Sequence, residues 1–277
     1  HQSAEMGEWF RPAGVTAITA SSVEMAEYFA AAGWKDISIA FPANVRQIAQ
    51  MDALAERVSL GLLAESVETV EALDKGLQHA ADLWIKVDVG GRRTGVDWTQ
   101  VEQAAAVARA ARAERHLRLR GLLTHAGHTY AERGGAAVRQ VYDESVARIL
   151  SLRQALAGLG LGDLEISVGD TPSVSLVEDL GAVDEIRPGN FVLYDAMQLA
   201  QIGACRAEDV AAALACPVVA LHPQRSEAVI YGGAIHLSKD TFQYGEARAF
   251  GLVCLPEGGR WGAPLAGAYV RGLSQEH

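Results

Sequence analysis

Val87-Asp88-Val89-Gly90-Gly91-Arg92-Arg93-Thr94-Gly95-Val96 closes an apolar run of strand length with a glycine-opened turn that carries a guanidinium. Two later strings repeat the device: Ser167-Val168-Gly169-Asp170-Thr171-Pro172-Ser173 and Arg187-Pro188-Gly189-Asn190. Both set backbone N–H groups beside a hydroxyl or an amide, and such groups bind phosphate without a lysine. One Gly-rich strand end is commonplace. Three at successive strand ends point to a single phosphate-bearing, aromatic cofactor at one mouth of a barrel. Gly90-Gly91 followed by Gly95 is not a dinucleotide loop, because no helix begins at the right place.

Outward from these turns, strand-like and helix-like stretches alternate. Residues 15–19, 36–40, 58–63, 83–89, 117–124, 164–168 and 183–187 read as seven strands, most of them continuous apolar runs. Such runs suit a parallel sheet covered on both faces. Ser21 and Ser22 offer N-caps, with Glu24 in the first turn, for a helix to Ala32. Pro42 opens a helix over 44–54, and another is expected over 67–80. A parallel barrel of this kind closes with eight strands, so one strand is missing. It is placed before His1, because 4–9 already looks like a helix start. The fold expected is an α/β, (β/α)8 TIM-type barrel over 1–203, truncated at its N-terminus.

Beyond Ala204 the texture changes. Runs at 217–222, 226–230, 248–254 and 268–272 are short and β-rich, with Gly, Pro and charge between them. They predict a C-terminal antiparallel β domain over 204–277, itself cut short, with a boundary near 202–209.

The chain of 277 residues is 49% apolar and 21% charged, enough for a large core. A net charge of −10 argues against nucleic acid or an anionic membrane as the main partner. Cys205, Cys216 and Cys254 are odd in number and lack a C-x-x-C spacing, so they read as thiols of a reducing compartment. No apolar run reaches the roughly 18 residues of a membrane span. The expected setting is cytoplasmic.

The order of motifs resembles the fold-type III pyridoxal-phosphate enzymes, and among them the D-threonine aldolase and D-serine dehydratase family. Carrying the resemblance are the three strings above, Gly14-Val15-Thr16-Ala17-Ile18-Thr19, Asp36-Ile37-Ser38-Ile39-Ala40-Phe41-Pro42, His125-Ala126-Gly127-His128-Thr129-Tyr130 and Ser274-Gln275-Glu276-His277. Alanine racemase looks similar at Arg-Pro-Gly. In that family the first barrel strand ends in Lys-Thr-His, and its lysine forms the Schiff base with the cofactor. His1 resembles that histidine, which puts the lysine two positions before it; no lysine within the chain is expected to have a comparable setting, Lys86 included.

The resemblance implies pyridoxal 5'-phosphate as cofactor. It also implies a divalent metal (zinc, manganese or magnesium) whose ligands lie beyond His277, and a homodimer. Arg93 would hydrogen-bond the phenolate oxygen, the alternative being a surface arginine paired with Asp97. Gly169, Thr171, Gly189 and Asn190 would cup the phosphate, or simply serve turns. Tyr130 would reach the ring or its nitrogen, or be a buried structural tyrosine. Arg187 matches an arginine that contacts the ring nitrogen in alanine racemase. Asp170 contributes by its backbone, and Asp195 caps a helix. His125 and His128 lack a third metal ligand of fitting spacing. The activity implied is a lyase on β-hydroxy D-amino acids, by retro-aldol cleavage or by dehydration. Racemisation on the same scaffold and a non-catalytic cofactor carrier are the alternatives.

Overall fold

Along residues 81–89 the side chains divide by parity. Leu83, Ile85, Val87 and Val89 join the main apolar core, whereas Trp84 belongs to a small separate cluster with Leu63 and Leu123. Alternation of this kind marks a strand buried on both faces. The computed structural model describes residues 3–277, so the expectation attached to His1 lies outside them.

Helix α1 (Ala4–Phe10) precedes β1 (Ala17–Ala20), α2 (Val23–Ala31), β2 (Asp36–Pro42), α3 (Ile48–Ala55), β3 (Ser59–Ala64), α4 (Val67–Gly76) and β4 (Ala81–Asp88). Then come β5 (Val96–Asp97), α5 (Val101–Ala113), β6 (Leu117–Leu123), α6 (Gly134–Gly158), β7 (Glu165–Val168), α7 (Thr171–Leu176) and β8 (Glu185–Ile186). Seven strands pair in parallel in the order β1-β2-β3-β4-β6-β7-β8, with β5 added beside β4. The Arg187 guanidinium, just past β8, bonds the hydroxyls of Thr19 on β1 and Ser38 on β2, so the first and last strands face each other around a curled sheet. The result is a parallel sheet of seven strands curled into a half-barrel, with helices between the strands.

Local chemistry sets the boundaries. Ser22 caps α2 by accepting the Met25 N–H at 3.1 Å. Pro42 ends β2 rather than opening a helix; Asn44 caps a single 3-10 turn, and α3 starts only at Ile48. The helix expected over 67–80 stops at Gly76. There the Asp52 carboxylate captures the Gln78 and His79 N–H groups at 2.7 and 2.9 Å and turns the chain toward β4. Among the described residues no helix is long and apolar enough to cross a membrane.

The chain packs as two compact units, residues up to Thr129 with Arg139–Gly189, and Tyr130–Val138 with Asn190–His277. The change of texture near 202–209 therefore falls inside the second unit. The antiparallel strands expected there pair as four two-stranded ladders. They are β9 (Val218–His222) with β10 (Glu227–Ile230), β11 (Phe242–Tyr244) with β12 (Ala247–Ala249), β13 (Gly251–Leu252) with β16 (Tyr269–Val270), and β14 (Pro256–Glu257) with β15 (Arg260–Trp261). Runs this short, broken by Gly and Pro, leave each strand one partner.

Gly121 on β6 pairs with Glu165 on β7, and a Cβ there would lie 2.1 Å from the Glu165 carbonyl oxygen. Gly121→Ala is expected to cost about 3 kcal/mol by forcing those strands apart, read as a lowered denaturant midpoint. An unchanged midpoint would show that the sheet yields freely.

Candidate functional site at the carboxyl ends of the barrel strands

Asp88 builds the turn after β4. Its Oδ1 accepts the Gly90 N–H at 2.8 Å and the Arg92 N–H at 3.0 Å. Gly95 sits at φ 116°, and a Cβ on it would lie 2.7 Å from the Asp88 nitrogen, so glycine is required there. The chain then returns as β5 and leaves Arg93 exposed at the tip. The alternative partner, Asp97, is engaged elsewhere: it accepts the Thr99 N–H at 2.9 Å and hydroxyl at 2.6 Å. Arg93 forms no ion pair among the described residues.

Lys86 corrects an expectation. It shares the inward parity of Trp84 and is only 4% exposed. Burial, aided by the Arg93 cation and opposed by Asp88 and Glu65, brings its amine down to about 8. This is a setting for a reactive amine. Glu65, just beyond β3, has a buried Oε2 with no hydrogen-bond partner. The period-two alternation of Asp82, Trp84, Lys86 and Asp88 was the available signal, hidden because an all-apolar outer face makes the strand read as one run.

His125 Nδ1 meets the Gly169 carbonyl, which can only accept, so Nδ1 carries the proton. Burial, aided by the Arg93 cation, holds this imidazole below its ordinary pKa. A neutral ring with Nε2 as acceptor follows. His128 Nδ1 is buried without a hydrogen-bond partner.

Asp170 caps α7: its Oδ1 accepts the Ser173 N–H at 2.7 Å and the Thr129 hydroxyl at 2.9 Å. That carboxylate takes the role an anion would fill at this helix end. Thr171, the first residue of α7, is fully buried. A Cβ on Gly169 would lie 2.7 Å from the Arg187 Cβ and carbonyl oxygen, so strand packing alone demands this glycine.

Arg187 is turned inward and largely committed. Its Nε donates to Ser167 Oγ at 2.6 Å, its Nη atoms reach Thr19, Ser38 and the Glu185 carboxylate, and its guanidinium lies 5.4 Å from the Trp84 ring centre. Tyr130 and Asn190 belong to the second unit, while Arg93, Gly169, Thr171, Arg187 and Gly189 belong to the first. The Tyr130 carbonyl accepts from Gln201 Nε2 at 3.1 Å. Asn190 Nδ2 donates to Asp195 Oδ2 at 2.6 Å, and Asp195 Oδ1 in turn accepts the Gln198 N–H at 2.8 Å, the cap expected of it. Among the described residues no group of three or more His, Cys, Asp or Glu is arranged to hold a metal ion.

Residues 1–197 match the family model described as alanine racemase, N-terminal domain. The chain is 30% identical over 273 residues to D-threo-3-hydroxyaspartate dehydratase of Delftia sp. strain HT23, covering 96% of this chain and 70% of that enzyme. The solved structure of that dehydratase superposes with a TM-score of 0.87, 29% identity, and coverage of 100% and 73% of the two chains. D-serine dehydratase of Dictyostelium discoideum is 26% identical over 224 residues, 75% of this chain and 56% of that one. The structure of D-threonine aldolase from Filomicrobium marinum, at 18% identity, shares the fold with a TM-score of 0.72 over 98% of this chain and 74% of its own.

An unfolded chain keeps a lysine proton to about pH 10.4, whereas Lys86 in the fold releases it near 8. Between those values the unfolded chain binds more protons, so stability rises with pH across that window. The effect is about 3 kcal/mol, and the penalty is fully present below pH 8. Lys86→Met is expected to flatten this rise in denaturant titrations from pH 7 to 10. Parallel stability profiles for parent and variant would contradict the assignment.

Proposed function

The chain belongs to the alanine racemase N-terminal domain family, and on that premise we propose that it is a pyridoxal-phosphate-dependent lyase acting on β-hydroxy D-amino acids. The observation that carries this reading is the likeness to a β-hydroxy D-amino acid dehydratase over 96% of the chain. It favours dehydration over retro-aldol cleavage.

The residues present fit the cofactor. Arg93 offers a guanidinium without an ion-pair partner among the described residues, beside a neutral imidazole and a buried amine. When bound, pyridoxal phosphate supplies an electron sink for a carbanion at Cα. Arg93 would bind the phenolate oxygen by a charge-assisted hydrogen bond. His125 Nε2 is able to accept a proton, and Lys86 Nζ, protonated at neutral pH, holds one. Thr171, Gly169, Gly189 and Asn190 are the proposed phosphate contacts, and Tyr130 a contact to the ring. The inward commitment of Arg187 supports a structural role for it over a ring contact. The covalent lysine is proposed two positions before His1. A divalent metal bound beyond His277 belongs to the same proposal, in keeping with a solved D-threo-3-hydroxyaspartate dehydratase variant in a metal-free form. So do a homodimer and a cytoplasmic location.

The test incubates cofactor-loaded protein with D- and L-forms of serine, threonine and 3-hydroxyaspartate, with and without chelator. Ammonia plus keto acid from D-substrates alone is expected. Glycine plus aldehyde would make the enzyme an aldolase, and intact substrate throughout would move the reading to a carrier. Borohydride should fix the cofactor on the lysine ahead of His1; label on Lys86 would overturn that placement.

Thr171→Val removes one hydrogen bond to a charged group and is expected to weaken cofactor binding by about 1–3 kcal/mol. An unaltered dissociation constant would place the phosphate elsewhere.

A further inference from the structure

Arg93 has a like charge close by. Burial first and the nearby Arg93 cation second hold the Lys86 amine down. A flexible turn would relax by swinging Arg93 away. Instead the turn is fixed on three sides, and none of the fixing groups bonds the guanidinium itself.

From within, the Asp88 carboxylate ties down the Gly90 and Arg92 N–H groups. At the far end β5 locks the register, with Val87 opposite Val96 and the Trp98 N–H bonded to the Asp88 carbonyl at 3.1 Å. From outside comes Arg148 of α6. Its Nη1 donates to the Val89 carbonyl at 2.7 Å, its Nη2 to Glu144 Oε2 at 3.1 Å, and its guanidinium lies 5.9 Å from the Trp98 ring centre. Arg148 also fills the space beside Gly90, where a Cβ would meet its Nη1 at 2.8 Å. Arg92, at φ 52°, shows how tightly the segment is drawn.

We propose that Asp88 and Arg148 are positioning residues that act through Arg93: by bracing the turn that carries it, at Gly90, Arg92 and Val89, they preorganise the guanidinium for an anionic oxygen. This inference rests on the reading of Arg93 as the contact to the phenolate oxygen of the cofactor. The physical gain is that no turn has to be ordered when the ligand arrives, and the repulsion between two cations is relieved by the anion that enters.

The experiment measures dissociation constants for pyridoxal 5'-phosphate and for 3-deoxypyridoxal 5'-phosphate, which lacks the ring oxygen, by absorbance titration. The quantity of interest is their ratio. Arg93→Ala should reduce the preference for the oxygen-bearing ligand by roughly tenfold or more, the size of one lost hydrogen bond to a charged group. Arg148→Met, which keeps the apolar stem, and Asp88→Ala should each reduce it several-fold. Asp88→Asn, which retains an acceptor, should restore it. In an Arg93→Ala background, Arg148→Met should change the ratio no further. If Arg148→Met and Asp88→Ala weaken both ligands equally, the brace is merely structural and the inference fails while the role of Arg93 stands. If Arg93→Ala itself leaves the ratio unaltered, the reading of Arg93 falls and the inference with it.

Discussion

Side chains along a strand alternate between two faces, and this period of two is the constraint from which the rest of the barrel follows. On β2, β3, β4 and β7 one parity (Ile37 and Ile39, Leu60 and Leu62, Leu83 and Ile85, Ile166 and Val168) feeds a single apolar core shared with the helices. The other parity is left to line the interior, and there the chain places Asp36, Ser38, Asp82, Lys86, Glu165 and Ser167. A one-residue slip on any strand would exchange the two sets and put carboxylates among leucines. Register is therefore enforced by charge as well as by apolar contact.

The interior is consequently a graded column of polar chemistry rather than stacked aliphatic layers. At its floor Asp82 holds Arg118 and Arg120, and Arg120 Nε donates to Glu165 at 2.9 Å. In the middle Trp84 lies between two guanidiniums, 5.1 Å from Arg120 and 5.4 Å from Arg187, a cation–π arrangement that suits a desolvated cation. At the mouth stand Lys86 and Arg93, beside the neutral His125 ring. Positive charge that the fold leaves uncompensated is charge that an anionic ligand can satisfy.

Much of this was legible in the residues. The strand positions, the serine cap of α2, the capping role of Asp195 and the turn carrying Arg93 all follow from local spacing. What escaped was settled by partners distant in sequence. Nothing near Gly76 announces that Asp52 will take the N–H groups of Gln78 and His79. Asp170 reads as part of a phosphate turn until Thr129, 41 residues earlier, is found bonded to it. Lys86 looked like a strand residue of no consequence because its lowered amine pKa is a property of burial, which only the assembled sheet supplies. The C-terminal strands were visible as strands, but their division into four small ladders depends on turns that local pattern does not order.

The floor of the barrel bears on how such a sequence can change over generations. Asp82 answers two arginines, and Arg120 answers two carboxylates; Asp82 itself is all but buried, so losing both arginines would strand it. Removing one member of a buried ion pair is far more damaging than exchanging the whole set for well-packed apolar groups. Drift at these positions is thus gated: substitutions there should arrive in compensating groups. Lineages of this fold should differ at the floor by whole blocks of charge, while the outer apolar face, tolerant of single exchanges of similar volume, wanders one residue at a time.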